Sequence, residues 1–335
     1  MDEVSRYPAR VRETASARWR HAVPGIADYV RIARPDHWIK NIFVLPGFAV
    51  ALALVPNASL SIGRLILLAV GMVSVCLTAS ANYTINEFLD ARHDRHHPLK
   101  QTRPGARGVL AWHLVWLEYS VLSAVGLLTA AMIGFPFLAC ALGLLVMGVA
   151  YNAEPFRAKD RAYLDVLSES INNPIRFLLG WFVVTGTMIP PASALLAYWM
   201  GGAFLMAVKR YSEFRRIGDP ARAALYRRSF GQYSETSLLL SAFFFAICSA
   251  FFIGVFLIKY RIGLLLTFPM FAALFTWYLA IGLRRDSAAQ QPEKLYREIP
   301  FLCFAAVTFL ATVMLFAFQL PVLNVLTETQ LIRLP

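Results

Sequence analysis

Long apolar runs separated by short polar stretches alternate along most of the 335-residue chain. A helix that crosses a bilayer needs about 20 mainly apolar residues. Nine runs approach this length, and we predict a transmembrane helix in each of them: 38–56, 64–86, 112–133, 136–151, 164–187, 192–209, 238–258, 262–282 and 300–320. The pattern therefore predicts an all-α polytopic membrane protein with nine transmembrane helices.

The basic residues lie mainly on one side of these predicted helices. If the N-terminus is cytoplasmic, the cytoplasmic segments carry 27 of the 32 Lys and Arg residues, and the opposite side carries four. Lys and Arg accumulate in the cytoplasmic loops of membrane proteins. The distribution therefore favours a cytoplasmic N-terminus and an odd number of helices.

Composition also indicates a membrane environment, because hydrophobic residues make up 58% of the chain and charged residues only 16%. A soluble domain is nearer to a quarter charged. The net charge of +12 does not indicate nucleic-acid binding, since the basic residues sit in short loops between apolar runs. We predict a basic arm at 1–30 that lies on anionic membrane lipids, a transmembrane domain at 31–322 and a short tail at 323–335.

Polar residues recur at every fourth position at the end of the second apolar run. Asn82, Asn86, Asp90 and Asp94 would lie on one face of a helix, and we call them the first acidic stripe. Two carboxylates four residues apart repel each other unless a cation lies between them. Magnesium usually binds one or two carboxylates together with substrate phosphates. Pro98 predicts the end of this helix, which would leave the stripe at the cytoplasmic rim.

Basic residues follow the first acidic stripe directly, at Arg95, Lys100 and Arg103. Arg binds a phosphate through two hydrogen bonds, and Lys attracts it as a point charge. We therefore predict that these residues bind phosphate. For any one of them, the ordinary positive charge of a cytoplasmic loop is an equally good explanation.

A second acidic stripe opens the fifth apolar run, where Asp165, Glu169 and Arg176 follow helical spacing. Two stripes on two helices would hold two Mg²⁺ ions around one diphosphate. Arg176 lies within the run and needs either a phosphate or a carboxylate partner, for which Glu169 and Glu118 are the candidates.

More basic residues flank this second stripe. Lys159 and Arg161 precede it, and Lys209 and Arg210 open a loop at 209–237 that would close over a diphosphate. The spacing of Leu, Ala and Tyr in that loop predicts a short amphipathic helix.

The segment Asn86-Glu87-x-x-Asp90-x-x-x-Asp94 resembles the NDxxDxxxD signature of the UbiA superfamily of intramembrane transferases. The stretch from Tyr151 to Glu169 resembles the second motif of that family, a Tyr and a Lys ahead of two acids. The resemblance covers about 30–320. It implies a UbiA-type bundle of nine helices, Mg²⁺ as the cofactor, and displacement of a diphosphate.

Together with the spacing, the resemblance assigns roles to individual residues. The catalytic residues would be Asp90, Asp94 and Asp165. The Mg²⁺ ligands would be Asn86, Glu87, Asp90, Asp94, Asp165 and Glu169. The substrate-binding residues would be Lys40, Asn41, Asn82, Arg95, Lys100, Arg103, Tyr151, Lys159, Arg161, Arg176, Lys209 and Arg210. Glu87 and Glu169 depart from the family pattern, since each is one methylene longer than the usual Asp.

Three segments look most like the decaprenyl-phosphate phosphoribosyltransferase branch of the superfamily. They are Arg34-Pro35-x-x-Trp38-x-Lys40-Asn41, Asp94-Arg95-x-His97-Pro98-x-Lys100-x-x-Arg103-Pro104 and Lys209-Arg210-Tyr211-x-Glu213. This branch implies transfer of 5-phosphoribose from phosphoribosyl diphosphate to a polyprenyl phosphate, with release of pyrophosphate. It also implies a bacterial inner membrane and a site that faces the cytoplasm.

Two alternative functions stay open at this point. The stretch Pro155-Phe156-Arg157-Ala158-Lys159-Asp160 resembles the prenyl-transferring branches at least as well, so an isoprenyl diphosphate is the alternative donor, with an aromatic or lipid acceptor. A lipid transporter is a weaker alternative, because transporters place ionisable residues near the membrane midplane rather than at the helix ends. Either kind of protein would be compatible with an oligomer.

Overall fold

The computed structural model describes residues 25–95, 100–260, 262–284, 287–290 and 292–317, and within them the chain forms helices and turns but no β-strand. The α-helices are α1 (Ile26–Ala33), α2 (Leu45–Leu54), α3 (Ile62–Asp94), α4 (Pro104–Arg107), α5 (Trp112–Ala131), α6 (Phe135–Asn152), α7 (Leu164–Ser170), α8 (Asn172–Val184), α9 (Ala192–Ile217), α10 (Pro220–Tyr226), α11 (Glu235–Tyr260), α12 (Phe268–Gly282) and α13 (Ile299–Ala317). Shorter 3₁₀-helices lie at Pro35–Val44, Ala158–Asp160, Arg228–Gln232, Ile262–Thr267, Ala288–Gln290 and Pro292–Arg297. The all-α fold class is thereby confirmed.

Eight helical segments of the described chain are long and apolar enough to cross a membrane, so the protein is an integral membrane protein. They are Ile26–Leu54, Ile62–Asp94, Trp112–Ala131, Phe135–Asn152, Ala192–Ile217, Glu235–Tyr260, Ile262–Gly282 and Ile299–Phe316. These segments overlap eight of the nine predicted runs. The exception is the fifth run, 164–187.

The fifth run is divided into α7, with 7 residues, and α8, with 13 residues. Pro174 explains the division: it lacks an N–H group and therefore cannot bond the carbonyl of Ser170, the last residue of α7. Ile171 keeps right-handed helical dihedrals, φ −62° and ψ −20°, so the chain continues helically through the break. The fifth predicted span is therefore an interrupted helix, and the count of nine stays a prediction.

Two helices continue well beyond their predicted ends. α3 ends at Asp94 rather than at 86, and α9 ends at Ile217 rather than at 209. The prediction that Lys209 and Arg210 open a loop is wrong, because polar residues extend the helix beyond its apolar part. The loop begins at Gly218, whose φ of 71° is a left-handed conformation that glycine favours. The short helix predicted in the loop is confirmed as α10.

The described chain begins inside the predicted basic arm, since α1 starts at Ile26. Most of that arm, residues 1–24, and the predicted tail at 323–335 lie outside the described residues. The domain boundaries therefore stay predictions. After α1, Arg34 adopts φ 50° and redirects the chain into the 3₁₀-helix Pro35–Val44.

α8 lies at the centre of the bundle, in contact with α2, α3, α6 and α9. It approaches α2 so closely that a Cβ added at Gly180 would lie 2.0 Å from the carbonyl oxygen of Val44. A Cβ added at Gly47 would lie 1.9 Å from the carbonyl oxygen of Phe177. Small residues allow such close packing between membrane helices. The crossing fixes the position of α8, which carries Arg176.

Residues 218–234, which we call the cap segment, cover the ends of several helices. An aromatic cluster anchors this segment to α9 and α11, and its buried members are Tyr211, Phe214, Ala223, Tyr226, Phe230, Tyr233 and Leu238. The cap segment brings Tyr226 and Arg227 against residues from α3 and from the loop after α6. The cap segment, which is distant in sequence from α3 and α6, thereby completes the set of charged side chains at this end of the bundle. We call this set the charged face.

Candidate active site

The end of α3, the loop after α6 and the cap segment enclose a narrow cleft with a volume of about 20 Å³. Its lining residues are Asp90, His93, Asp94, Arg157, Lys159, Asp160, Tyr226 and Arg227. Such a volume holds about one water molecule. The cleft therefore combines charges of both signs, and its own side chains fill most of it.

Asp90 is held by cations from the loop after α6. Lys159 Nζ contacts Asp90 Oδ1, and Arg157 Nη2 lies 3.5 Å from the same oxygen. Asn86 Nδ2 donates to Asp90 Oδ2 at 3.3 Å. Burial lowers the pKa of Lys159, an effect that the attraction of Asp90 opposes. The negative charge of Asp90 thus keeps a buried ammonium group in place beside the cleft.

Asparagine side chains connect this pair to the end of α6. Asn86 donates to Asn152 Oδ1, which also accepts from Lys159 Nζ at 2.8 Å. Asn152 Nδ2 in turn donates to the carbonyl of Gly148 at 2.9 Å. The network fixes Lys159 between α3 and α6. Farther along the first acidic stripe, Asp94 Oδ2 accepts from Arg103 Nη1 at 2.8 Å.

Glu87 lies apart from its neighbours in the predicted metal site. Its Oε2 accepts from Arg34 Nη2 at 2.7 Å, and its Oε1 accepts from the backbone N–H of Gly105 at 3.4 Å. Glu87 follows Asn86 directly, so it projects about 100° around the helix from the stripe. The structure therefore places Glu87 against α4 and the end of α1, not with Asp90 and Asp94.

The second acidic stripe surrounds Arg210, whose side chain is only 1% exposed. The Arg210 guanidinium donates to Asp165 at 3.2 Å, to Glu169 at 2.5 Å and to Glu213 at 3.1 Å. Its Nη2 also donates to the hydroxyl of Tyr151 at 3.0 Å. One arginine on α9 thus joins three carboxylates on two helices.

Asp165 also binds the cap segment. Its Oδ1 accepts from the Tyr233 hydroxyl at 2.8 Å, and its Oδ2 accepts from the Ser229 hydroxyl at 3.2 Å. Arg227 Nη1 lies 3.8 Å from Asp165 Oδ2 and donates to the Tyr151 hydroxyl at 3.1 Å. Asp165 is fully buried by these contacts. It therefore links α7 to the cap segment.

Lys100 connects the loop after α3 to the same cap. Its ammonium contacts the Tyr226 hydroxyl, lies 4.6 Å from the centre of the Tyr226 ring and is 3.9 Å from Glu213 Oε1. Burial lowers the pKa of Lys100 to about 8, while Glu213 and Asp94 oppose the change. Lys100 is therefore charged at neutral pH and loses its charge in mildly alkaline solution.

Arg176 pairs with neither of the carboxylates considered for it. Its Nε donates to Asn41 Oδ1 at 3.1 Å, and Asn41 Nδ2 lies 3.2 Å from Cys76 Sγ. Glu169 is engaged by Arg210, and Glu118 accepts a hydrogen bond from Thr84. The predicted alternative, an ion pair between Arg176 and Glu169 or Glu118, is therefore not observed.

Three of the predicted phosphate-binding cations lie around this region. Lys40 Nζ is 3.1 Å from His37 Nδ1, and Lys209 Nζ is 3.9 Å from Glu169 Oε1. Arg161 is exposed and lies outside the set of residues that line the cleft. The predicted cations are thus spread over both acidic stripes and the rim.

Two further predicted residues make contacts that hold the fold. Asn82 Nδ2 donates to the carbonyl of Leu144 at 2.8 Å and so ties α3 to α6. Arg95 Nε donates to the carbonyl of Ala106 at 2.9 Å, which attaches the end of α3 to α4. A substrate role for either residue stays a prediction.

The described residues contain no group of three or more His, Cys, Asp and Glu side chains placed to hold a metal ion. The fit must therefore be judged from the oxygen donors that reach the cleft, which are Asp90 and Asp94, with Asn86 beside Asp90. This set suits Mg²⁺, which takes one or two carboxylates and completes its shell with water and substrate phosphates. Asp165 and Glu169 are instead engaged by Arg210.

Several residues at the site were not among the predicted site residues. They are Arg34, Asn152, Arg157, Glu213, Tyr226, Arg227 and Tyr233. Asn152 carried a usable signal, since it ends an apolar run with an amide as Asn86 does. Arg227 and Tyr233 carried none, because only the folded cap segment brings them to the acidic stripes.

Comparison with known proteins supplies the family. The UbiA prenyltransferase family matches residues 43–304, which is most of the chain. The chain belongs to the UbiA prenyltransferase family. The resemblance drawn from the two acidic motifs is thereby confirmed, and this UbiA-family protein is a transferase.

Curated relatives of this UbiA-family transferase include decaprenyl-phosphate phosphoribosyltransferases. The protein of that name from Mycobacterium tuberculosis is 32% identical over 224 residues, which cover 64% of this chain and 68% of the relative. The one from Mycolicibacterium smegmatis is 32% identical over 234 residues, which cover 67% of this chain and 69% of the relative. These relatives agree with the branch indicated by the three sequence segments.

Solved structures support the fold. A UbiA homolog from Archaeoglobus fulgidus bound to GPP and Mg²⁺ has a TM-score of 0.63 at 23% identity, over 87% of this chain and 100% of the other. A structure of digeranylgeranylglyceryl phosphate synthase has a TM-score of 0.58 at 16% identity, over 87% of this chain and 96% of the other. The UbiA-family transferase therefore shares the fold of these two solved structures.

Proposed function

We propose that this UbiA-family transferase moves 5-phosphoribose from phosphoribosyl diphosphate to a polyprenyl phosphate and releases pyrophosphate. The cleft carries the proposal, because Asp90 and Asp94 there face Arg157, Lys159 and Arg227. Carboxylates that suit a divalent cation thus lie beside cations that suit a diphosphate. The names of the curated relatives support phosphoribose as the transferred group.

We assign the first acidic stripe to the metal. Asp90 and Asp94 would hold Mg²⁺, and Asn86 would orient Asp90 through its hydrogen bond. The bound ion would neutralise charge that grows on the leaving diphosphate oxygen. Lys159 and Arg157 would then exchange the Asp90 carboxylate for phosphate oxygens. The small volume of the cleft requires this exchange, since a diphosphate does not fit while these ion pairs are closed.

The chemistry is substitution at the anomeric carbon of the ribose. The bond between C1 and the diphosphate oxygen breaks, the electron pair leaves with pyrophosphate, and an oxygen of the lipid phosphate bonds to C1. The acceptor phosphate is already an anion, so no protein side chain has to remove a proton. The work of the protein is positioning and electrostatic stabilisation.

The same proposal includes the membrane and its sidedness. The Lys and Arg distribution supports a cytoplasmic site, where a soluble phosphorylated sugar would reach the cleft. The bacterial relatives support a bacterial inner membrane. A tag at the N-terminus that becomes labelled only in inside-out vesicles would test the orientation.

Product formation by the purified protein tests the function. With Mg²⁺, phosphoribosyl diphosphate and polyprenyl phosphate, we expect pyrophosphate release in equal amount to a new phosphoribosylated lipid. Chelation of Mg²⁺ should stop both. Turnover that needs no polyprenyl phosphate would contradict the proposal.

An isoprenyl diphosphate is the second candidate donor, because the Archaeoglobus fulgidus homolog of the same fold was solved with GPP and Mg²⁺. The same assay with an isoprenyl diphosphate separates the two candidates. Prenylated product, with no ribosylated lipid, would replace the proposed donor and keep the diphosphate site.

A further inference from the structure

Arg176 is a charged residue inside the bundle that forms no ion pair with any described carboxylate. Its Nε donates to Asn41 Oδ1 at 3.1 Å, and its Nη1 donates to the carbonyl of Asn172 at 3.4 Å. Other arginines of the charged face differ: Arg34 lies 2.7 Å from Glu87, and Arg210 lies 2.5 Å from Glu169. Two neutral oxygens therefore take the place of an anion beside Arg176.

A positive charge at this depth is costly without a negative partner. α8 lies at the centre of the bundle, and Arg176 follows Asn172 by one helical turn. Ionisable residues inside membrane bundles usually pair with one another or mark a ligand path. Because no described acid lies within ion-pair distance of Arg176, the geometry indicates an anionic ligand.

Two further donors lie near Arg176. Tyr83 on α3 lies within electrostatic range of Arg176, Arg34, Lys209 and Glu169. Lys209 on α9 lies 3.9 Å from Glu169, whose Oε2 is already bonded to Arg210 at 2.5 Å. The guanidinium of Arg176 and the ammonium of Lys209, on α8 and α9, therefore both act on the phenol of Tyr83 on α3. Together they suit a phosphate group.

This region is distinct from the cleft at the helix ends. Arg176, Tyr83 and Lys209 are absent from the cleft lining. Arg176 also follows Glu169 by seven residues, which along a helix is roughly 10 Å deeper in the bundle. A phosphate that reaches this depth must tolerate apolar surroundings, since α8 continues from Arg176 with the buried apolar residues Phe177, Leu179, Trp181 and Val183.

We propose that Arg176, with Tyr83 and Lys209, binds the phosphate of the lipid acceptor. The inference rests on the proposed function and deepens it, because it separates an acceptor site within the bundle from the donor site in the cleft. A polyprenyl phosphate has one charged end on a long apolar chain, so its phosphate can reach a basic group among apolar helices. A soluble sugar diphosphate carries several charges and has no such apolar part.

Binding measurements test the inference without turnover. Native mass spectrometry of the full-length protein would measure retention of polyprenyl phosphate, the matching polyprenol and phosphatidylglycerol. We expect the wild type to prefer the phosphate over the alcohol by about tenfold or more, since a charged hydrogen bond contributes about 1.5–3 kcal/mol. Arg176→Gln should remove most of this preference, and Arg176→Lys should keep much of it.

The matched control is Arg64→Gln, because Arg64 lies at the opposite end of α3, is partly exposed, and donates from its side chain to the carbonyl of Ser59. It should leave all three affinities unchanged. If Arg176→Gln does not fold, Tyr83→Phe provides a milder variant, for which we expect a loss of the same preference by about threefold to tenfold.

Binding of phosphoribosyl diphosphate with Mg²⁺, measured by calorimetry, distinguishes the two substrates. It should change less than twofold in Arg176→Gln. A weakened donor with an unchanged lipid phosphate would overturn the inference, as would equal retention of phosphatidylglycerol. Failure of the phosphoribosyl transfer assay would leave the lipid-binding result standing, so the two proposals can fail separately.

Discussion

The two acidic stripes have similar spacing in the sequence but very different surroundings in the structure. Asp90 and Asp94 line a cleft, and loop cations from either side pair with them. Asp165 is fully buried, and a single arginine on α9 holds it together with Glu169. The proposed function assigns the ligand to the first stripe, whereas the second joins helices and the cap segment.

The difference lies in where the opposing cation is attached. Lys159 lies in a single 3₁₀ turn, Ala158–Asp160, within the connection after α6, so a small change of backbone there can release Asp90. Arg210 lies within α9, two turns before its end, and cannot leave its carboxylates without moving that helix. A carboxylate paired from a loop can exchange partners at low cost, but one paired from within a helix contributes to stability.

Removal of the central cation of the second stripe should have the largest effect. Arg210→Met would remove the shared partner of the buried Asp165 and Glu213 and of the partly exposed Glu169. We expect the free energy of unfolding to fall by about 3–5 kcal/mol, the usual cost of breaking a buried ion pair from one side. A lower melting temperature and loss of the monodisperse peak in detergent would show this loss of stability.

The matched control lies five residues farther along the same helix. Arg215 is 36% exposed and lies 3.6 Å from the exposed Glu235. Arg215→Met should cost less than about 1 kcal/mol, as exposed ion pairs do. Equal destabilisation by the two variants would remove the distinction between the stripes.

Neutralisation of the first stripe should affect catalysis rather than folding. Asp90→Asn removes a charge from the cleft and keeps the shape of the side chain. We expect kcat to fall by about a hundredfold or more, on the order of 3 kcal/mol, because the metal and the leaving group lose stabilisation. The melting temperature should change little.

A conservative change elsewhere provides the control for Asp90. Asp219 accepts from the N–H of Ala221 at the start of α10, and Asn caps a helix equally well. Asp219→Asn should therefore leave both kcat and stability unchanged. If Asp90→Asn unfolds the protein while it spares turnover of the folded fraction, the roles assigned to the two stripes would be reversed.

The packing of α8 sharpens the comparison, because the second stripe leads directly into that helix. Gly180→Ala would place a methyl group 2.0 Å from the carbonyl of Val44. We expect a loss of about 1–3 kcal/mol from overpacking, measured as a lower melting temperature. Gly254→Ala is the control, since nothing lies within 4 Å of its added Cβ. Equal melting temperatures would show that α2 and α8 are less closely packed.

The smallest expected effect is a dependence on pH. Burial lowers the pKa of Lys100 to about 8, so the charged form dominates below that pH and disappears as the pH rises. If Lys100 binds donor phosphate, the KM for phosphoribosyl diphosphate should rise by about tenfold between pH 7 and 9. Lys100→Arg should abolish the rise, because arginine stays charged throughout. An identical rise in the variant would assign the titration to another group.

Helical spacing alone brought together Asn86, Asp90 and Asp94 on one helix face, and in the structure Asp90 and Asp94 line the cleft with Asn86 beside Asp90. The sequence did not predict contacts between residues that lie far apart in the chain. Arg227 belongs to the site because an aromatic cluster folds the cap segment over the helix ends. Glu87 falls within the family motif, yet Arg34 holds it on another face of α3. The spacing of residues along one helix predicts neither the folding of the cap segment over the helix ends nor the pairing of Glu87 with Arg34.

The sequence by itself determined that the chain is a bundle of membrane helices with two acidic stripes, because hydrophobic length and helical periodicity are local properties. The tertiary structure alone decided which cation opposes each acid. That choice depends on which helices and loops meet, as Lys159 meets Asp90 and Arg210 meets Asp165. It also decided that Arg176 pairs with no acid among the described residues, because burial and pairing exist only once α8 is packed at the centre.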